Sequence, residues 1–217
     1  QTIVGYVTYL YPDPLERWSE GKMENLIIHL EKGIEECDQL LSDNEMFLAR
    51  TKGIGSIDAT TAVDFGLSGP LLRACGVPED IRISEPYGIY DRFDFGIPVG
   101  SAGDCWDRYY VRMEEMRQSL SIIVQAMEQM KTREISAPVR SIPRPPAGEV
   151  YIRTESPRGD FGVFLVSDGS DKPYRVKVRA PSFANLQALQ FLLRDAYVAD
   201  VVMVLGSLDL ILGEVDR

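Results

Sequence analysis

A chain of 217 residues with 45% hydrophobic content is long enough to bury a core, as one domain or two closely associated ones. Its 33 acidic residues against 23 basic ones give a formal net charge of -10, which repels phosphate backbones and anionic headgroups and argues against nucleic acid as a partner. No apolar run reaches the roughly 20 residues needed to cross a bilayer, and the longest candidate, Val198 to Leu205, is interrupted by Asp200.

No basic stretch followed by an apolar run opens the chain, so no secretory leader is read, and a start at Gln1 instead of Met leads to the expectation of a fragment. Cys37, Cys75 and Cys105 lack C-x-x-C spacing and are read as small buried hydrophobes in a reducing compartment. One histidine, His29, makes a Cys/His metal cage or a Cys-His hydrolase hard to assemble.

In chain order, Asp13 as N-cap and Pro14 in the first turn predict a long helix running to about Leu41. Met23, Leu26, Ile27, Leu30, Ile34, Cys37 and Leu41 recur by threes and fours and form its buried stripe. His29, beside that stripe, is read as a surface or core-edge residue, not a catalytic one. Thr51 to Asp58 is a Gly-rich turn into a short helix; it lacks G-x-G-x-x-G and Gly-Lys-Ser, so a nucleotide cradle is disfavoured. Short helices and aromatic-rich loops follow as far as Gly103.

A second long helix begins after Asp104, its N-cap, with Asp107 near the positive end of the macrodipole. Trp106, Tyr109, Met113, Met116, Leu120, Ile123, Met127 and Met130 form its heptad-like packing stripe. The Pro-rich run from Pro138 to Pro146 forbids helix and sheet interior. Glu149 to Glu155, Phe161 to Ser167 and Tyr174 to Arg179 then read as a three-stranded antiparallel meander. Two helices, roughly Phe183 to Arg194 and Tyr197 to Leu205, precede an acidic tail. The expected division is a helical region 1–137, a connector 138–148, a β meander 149–181, and C-terminal helices with the tail over 182–217.

Seven blocks carry a resemblance: Arg50-Thr-Lys-Gly-Ile-Gly55, Gly69-Pro-Leu-Leu-Arg-Ala-Cys-Gly-Val77, Tyr90-Asp-Arg92, Gly103-Asp-Cys-Trp-Asp-Arg-Tyr109, Arg112-Met-Glu-Glu-Met-Arg-Gln-Ser119, Val166-Ser-Asp-Gly169 and Gly213-Glu-Val-Asp-Arg217. In this order they resemble the C-terminal part of the 49-kDa-type, quinone-site subunit family of respiratory complex I, from about Phe47 to Arg217. The resemblance implies an α+β, predominantly helical fold with long antiparallel helices and a small three-stranded insert, like the large subunit of nickel-iron hydrogenases without its N-terminal part. It also implies membership of a proton-translocating NADH:quinone oxidoreductase, peripheral on the cytoplasmic side of the membrane. The implied partners are a cluster-bearing subunit, other peripheral-arm subunits and the quinone-channel membrane subunit.

The hydrogenase kinship gives the tail a register. Where those enzymes hold nickel and iron with Asp-Pro-Cys-x-x-Cys-x-x-His, this chain has Asp209, Leu210, Ile211, Glu214 and Arg217. Without the two thiolates no nickel site is expected. The resemblance instead implies that Asp209, Ile211, Glu214 and Arg217 lie at the inner wall of a quinone pocket; an Asp209–Arg217 bridge that locks the tail is the alternative. No cofactor is expected on this chain: quinone is the substrate at the complex and the iron-sulfur cluster belongs to a neighbouring subunit. Asp104, Arg108, Arg112 and Glu115 are expected to form buried or interfacial ion pairs, against a solvated helix face. Rival readings are a membrane-bound hydrogenase large subunit, a deazaflavin- or ferredoxin-driven quinone oxidoreductase, and a non-catalytic scaffold fragment.

Overall fold

The structure, a computed structural model, describes residues 20–129 and 144–216. Helix α1 (Glu20–Leu41) and helix α6 (Cys105–Gln129) are its long elements. Met23 and Leu26 near the start of α1 pack with Ile123 and Met127 near the end of α6, and Ile34 packs with Met113 and Leu120, so the pair is antiparallel. The threes-and-fours spacing of both stripes produces this seam. The expected start at Asp13 and Pro14, and most of the Pro-rich connector, lie outside the described residues.

Two members of the stripes, Cys37 and Met116, line a cavity instead of packing in the seam. Cys37 is exposed, contrary to its reading as a buried hydrophobe, because it faces a cavity that Tyr109 and Met113 of α6 also line. Met116, in mid-stripe, is 41% exposed because it lines cavities instead of packing. His29 is exposed, with Nδ1 bonded to the Asn25 carbonyl at 2.8 Å.

Short helices α2 (Glu45–Thr51), α3 (Ala59–Asp64), α4 (Pro70–Ala74) and α5 (Ile81–Ser84) lie between the long ones in sequence, and α2 and α4 pack on α6. Asn44, Asp58 and Asp80 cap three of them by accepting backbone N–H bonds, as these residue types do at N-caps. The main core gathers Ile57, Ala62, Leu71, Leu72, Cys105 and Val204. The Gly-rich turn is packed between helices: the Ile54 carbonyl accepts from the Cys105 N–H at 3.0 Å and the Gly55 carbonyl from Arg108 at 2.9 Å.

Strands β1 (Gly148–Ser156), β2 (Gly159–Ser167) and β3 (Arg175–Arg179) form an antiparallel sheet in sequence order, with Tyr151 opposite Phe164 and Val163 opposite Val178. Beyond the sheet the chain makes α7 (Pro181–Leu186), α8 (Leu189–Leu192), α9 (Val201–Leu208) and α10 (Leu212–Val215). The first of the two helices expected here is therefore split. Gln187 and Ala188 close tight three-residue bonds to Ala184 and Asn185, and buried Asn185 is tied sideways to another segment. Among the described residues no helix is long and apolar enough to cross a membrane.

The β1–β2 hairpin is seated on the helical body by backbone-to-backbone contact. A Cβ on Gly69 would stand 2.4 Å from the Gly159 Cα, and one on Gly159 would stand 2.7 Å from the Ser68 carbonyl carbon; both residues have positive φ. Only glycine fits at such a crossing. Ser68 Oγ accepts from the Asp160 N–H at 3.1 Å, and the Asn185 amide donates to the Arg158 carbonyl at 3.1 Å while accepting from the Ser68 N–H. This docking fixes Arg158 at the hairpin tip over the C-terminal tail.

Candidate functional site

The tail is shaped by one unusual residue. Asp209, following α9, adopts the left-handed conformation (φ 52°, ψ 51°), which Asp tolerates better than most side chains, and the chain reverses there. Arg158 grips the reversal, its Nε donating to the Asp209 carbonyl at 2.7 Å and its Nη2 pairing with Asp209 Oδ2 at 3.3 Å. Downstream, Glu214 Oε2 accepts from the Ser182 N–H at 3.2 Å and from its hydroxyl at 2.5 Å. That N–H lies in the first turn of α7, where no helical acceptor exists and where the local dipole favours a carboxylate.

Behind the tail lies a buried charge cluster centred on Arg73, which is 1% exposed. Its Nε donates to Glu115 Oε1 at 2.6 Å, its Nη2 to Glu155 Oε1 at 3.0 Å and its Nη1 to the Glu79 carbonyl at 2.7 Å. Burial works against the charge of Arg73, but Glu115 and Glu155 raise its pKa above the ordinary guanidinium value. Burial pushes the Glu155 carboxyl up, only partly offset by Arg73. Asp80 is held below the usual carboxylate range despite its burial, because Arg82 clamps both its oxygens at 2.6–3.2 Å.

Of the four residues expected in buried or interfacial ion pairs, Glu115 makes one, with Arg73 of α4, and the other three make none among the described residues. Asp104 Oδ1 accepts from the Asp107 N–H at 2.9 Å as the N-cap of α6, and its Oδ2 accepts from the Gly53 N–H at 2.7 Å. Arg108 is buried against the Gly103 and Gly55 carbonyls and Ser207 Oγ, at 2.8, 2.9 and 3.0 Å. Glu115 is taken by Arg73. The spacing does place these residues along neighbouring turns, but turn carbonyls and an arginine from α4 lie closer than the helix neighbours. Replacing Asp104 with Ala removes both the cap and the tie to the Gly-rich turn, with an expected loss of about 1–3 kcal/mol in a denaturant titration.

Arg112 differs from the other three. Nη1 donates to the Arg108 carbonyl at 2.9 Å, while Nε and Nη2 are shielded from solvent and have no hydrogen-bond partner among the described residues. Burial pulls its pKa down to about 10, against the opposing pull of Asp209 and Glu115.

Arg112, Met116 and Asp209 are shared by two cavities. One, of about 620 Å³, is charged, with Glu115, Glu155, Arg158 and Glu214 also in its wall. The other, of about 420 Å³, is mainly apolar and lined by Phe47, Tyr109, Met113 and Met203 among others. Thus Asp209 and Glu214 reach a cavity wall. Ile211 lines neither cavity and is 41% exposed, and Arg217 lies outside the described residues. The carboxylate of Asp209 pairs with Arg158. Among the described residues no three His, Cys, Asp or Glu side chains converge on a possible metal position.

Sequence reasoning missed Arg73, Glu155 and Arg158. Arg73 carried a signal: a lone charge inside Leu71-Leu72-Arg73-Ala74-Cys75 is either solvated or buried with partners, and its apolar neighbours favour burial. Arg158 carried none, since a Pro-Arg-Gly tip reads as an ordinary exposed turn.

Comparison with known proteins matches residues 10–145 and 138–217 to the family described as "Respiratory-chain NADH dehydrogenase, 49 Kd subunit". An NADH-quinone oxidoreductase subunit of Desulforamulus reducens is 46% identical over 213 residues, covering 98% of this chain and 57% of that protein. The equivalent subunit of Bacillus mycoides is 47% identical over 214 residues, with the same coverage, and that of Wolbachia pipientis from Culex pipiens is 43% identical over 226 residues, covering 91% and 58%. This chain thus spans a little over half the length of these relatives. By extent and identity of the match, the chain belongs to the 49-kDa subunit family of respiratory-chain NADH dehydrogenase.

Proposed function

We propose that this chain forms part of the quinone site of a proton-translocating NADH:quinone oxidoreductase. The observation that carries the reading is the meeting of an apolar cavity and a charged one at Arg112, Met116 and Asp209. A quinone head needs an apolar slot for its ring and polar groups at its carbonyls, and ligand sites in general are apolar clefts with a few placed polar groups. Asp209 and Glu214 belong to this wall, and we retain Ile211 and Arg217 as pocket candidates on the tail register.

In this reading the electrons come from an iron-sulfur cluster of a neighbouring subunit, and the protein is peripheral on the cytoplasmic side of the membrane. The interface half of the proposal is supported by apolar side chains left in solvent: Tyr197 is 80% exposed, and Val198, Val202 and Leu205 recur at spacings of four and three along one helical face. That face is assigned to the cluster-bearing or quinone-channel subunit.

Affinity isolation of the tagged protein from its source membranes tests the reading. The expected result is co-isolation of cluster-bearing and membrane subunits with NADH-driven quinone reduction and no stoichiometric nickel. Bound nickel with hydrogen evolution would overturn it in favour of a hydrogenase.

A further inference from the structure

Within the proposed quinone site, Arg112 is the arginine whose buried side-chain donors are only partly bonded among the described residues. Arg112 is anchored at one edge only: Nη1 is bonded to the Arg108 carbonyl, which fixes the plane of the guanidinium. The other edge presents Nε–H and Nη2–H side by side, shielded from solvent and unpartnered among the described residues, where the apolar and charged cavities meet. A buried donor left unmade is costly, and a buried cation more so. The neighbouring arginines are committed: Arg73 to Glu115 and Glu155, Arg82 to Asp80, and Arg158 to Asp209. Asp209 and Glu115 raise the affinity of Arg112 for its proton without reaching it as ion-pair partners.

We infer that the Nε–Nη2 edge of Arg112 binds one carbonyl oxygen of the quinone head and holds it as that oxygen becomes negative on reduction. The inference rests on the quinone-site reading above. Two electrons, delivered from NADH through the other chains of the complex, and two protons convert the quinone to the quinol. An oxygen that is neutral in the substrate and anionic after electron arrival accepts more strongly from a cationic fork as the reaction proceeds. Such an interaction raises turnover more than it tightens substrate binding. The ring would lie toward Met113, Met116 and Met203, whose unbranched side chains adapt to a flat ligand.

The test uses the assembled membrane complex carrying Arg112→Met or Arg112→Lys, assayed for kcat and KM with a short-chain quinone. Ferricyanide reduction serves as the control for electron entry, and an azido-quinone photolabel reports where the head binds. Arg112→Met is expected to lower kcat at least about tenfold with a smaller change in KM, leave ferricyanide reduction intact and keep the label on this chain, while Arg112→Lys recovers part of the rate. Wild-type kinetics in Arg112→Met with the label still on the cavity walls would overturn the role of Arg112 and leave the quinone site standing. A label absent from this chain would overturn the site itself. Loss of assembled complex, with normal turnover in what remains, would also overturn the inference and make Arg112 an anchor for a carboxylate of another subunit.

Discussion

Replacing Arg73 with Met is expected to destabilise the protein by about 3–5 kcal/mol, the range for removing one partner of a buried ion pair. For a protein of this size that corresponds to a fall of roughly 10 °C in Tm. The loss arises because Glu115 and Glu155 would keep their buried positions and lose the cation that compensates them. It should therefore depend on pH in a way that loss of packing would not. The folded-state pKa of Glu155 is already above its ordinary value, so its contribution is most favourable below the unfolded pKa and is lost as pH rises through the folded one. Removing Arg73 raises that pKa further, so the deficit of the variant should be greatest near neutrality and shrink on acidification. Asp80 has the opposite sign: its depressed pKa gives stability above its unfolded value that is lost as pH falls. Urea titrations of the wild type and Arg73→Met between acid and neutral pH separate the two trends. A deficit that does not change with pH would refute the charge argument. Converting Glu115 and Glu155 to Gln in the Arg73→Met background should recover part of the loss, since the buried charges are then gone.

Gly69→Ala should be nearly as damaging by an unrelated mechanism. Gly69 has φ 65° and ψ −144°, a region occupied almost only by glycine, and its added Cβ would meet Gly159 backbone atoms at 2.4 and 2.6 Å. No side-chain rotation relieves a clash between backbones, so the hairpin must lift. The expected cost is about 3 kcal/mol or more, read as a fall in Tm of roughly 6–12 °C. Because Arg158 is next to the contact, the variant should also free the Asp209 reversal, giving faster amide exchange over 206–216 than an equally destabilising core truncation does. Equal exchange in the two variants would mean that the hairpin does not hold the tail.

Much of this architecture was legible in the sequence because periodicity depends on which faces are buried. The stripe from Met23 to Ile34 gave α1, Asp104 gave the start of α6 to within a residue, and the alternation of Val, Ile, Tyr and Phe gave all three strands. Legibility ended where a residue answers to something distant in the chain. Glu115 looks like a partner for Arg112 three residues away, yet it pairs with Arg73, 42 positions upstream. The helix expected from Phe183 to Arg194 is interrupted where Asn185 reaches across to Arg158 and Ser68. In the tail, the register singled out Asp209 and Glu214, but the contact of Asp209 with Arg158 and of Glu214 with Ser182 depends on a hairpin tip and a helix end that no local pattern brings together.

The left-handed backbone at Asp209 sets two demands against each other at one position. Glycine would hold that conformation with less strain, by about 1 kcal/mol. Glycine would also remove the only carboxylate that meets both Arg158 and the shared wall of the two cavities among the described residues. A search for the most stable sequence on this backbone would therefore discard the residue that a charged pocket retains, and the reversal after α9 is where ranking by fold stability and ranking by function should disagree most clearly.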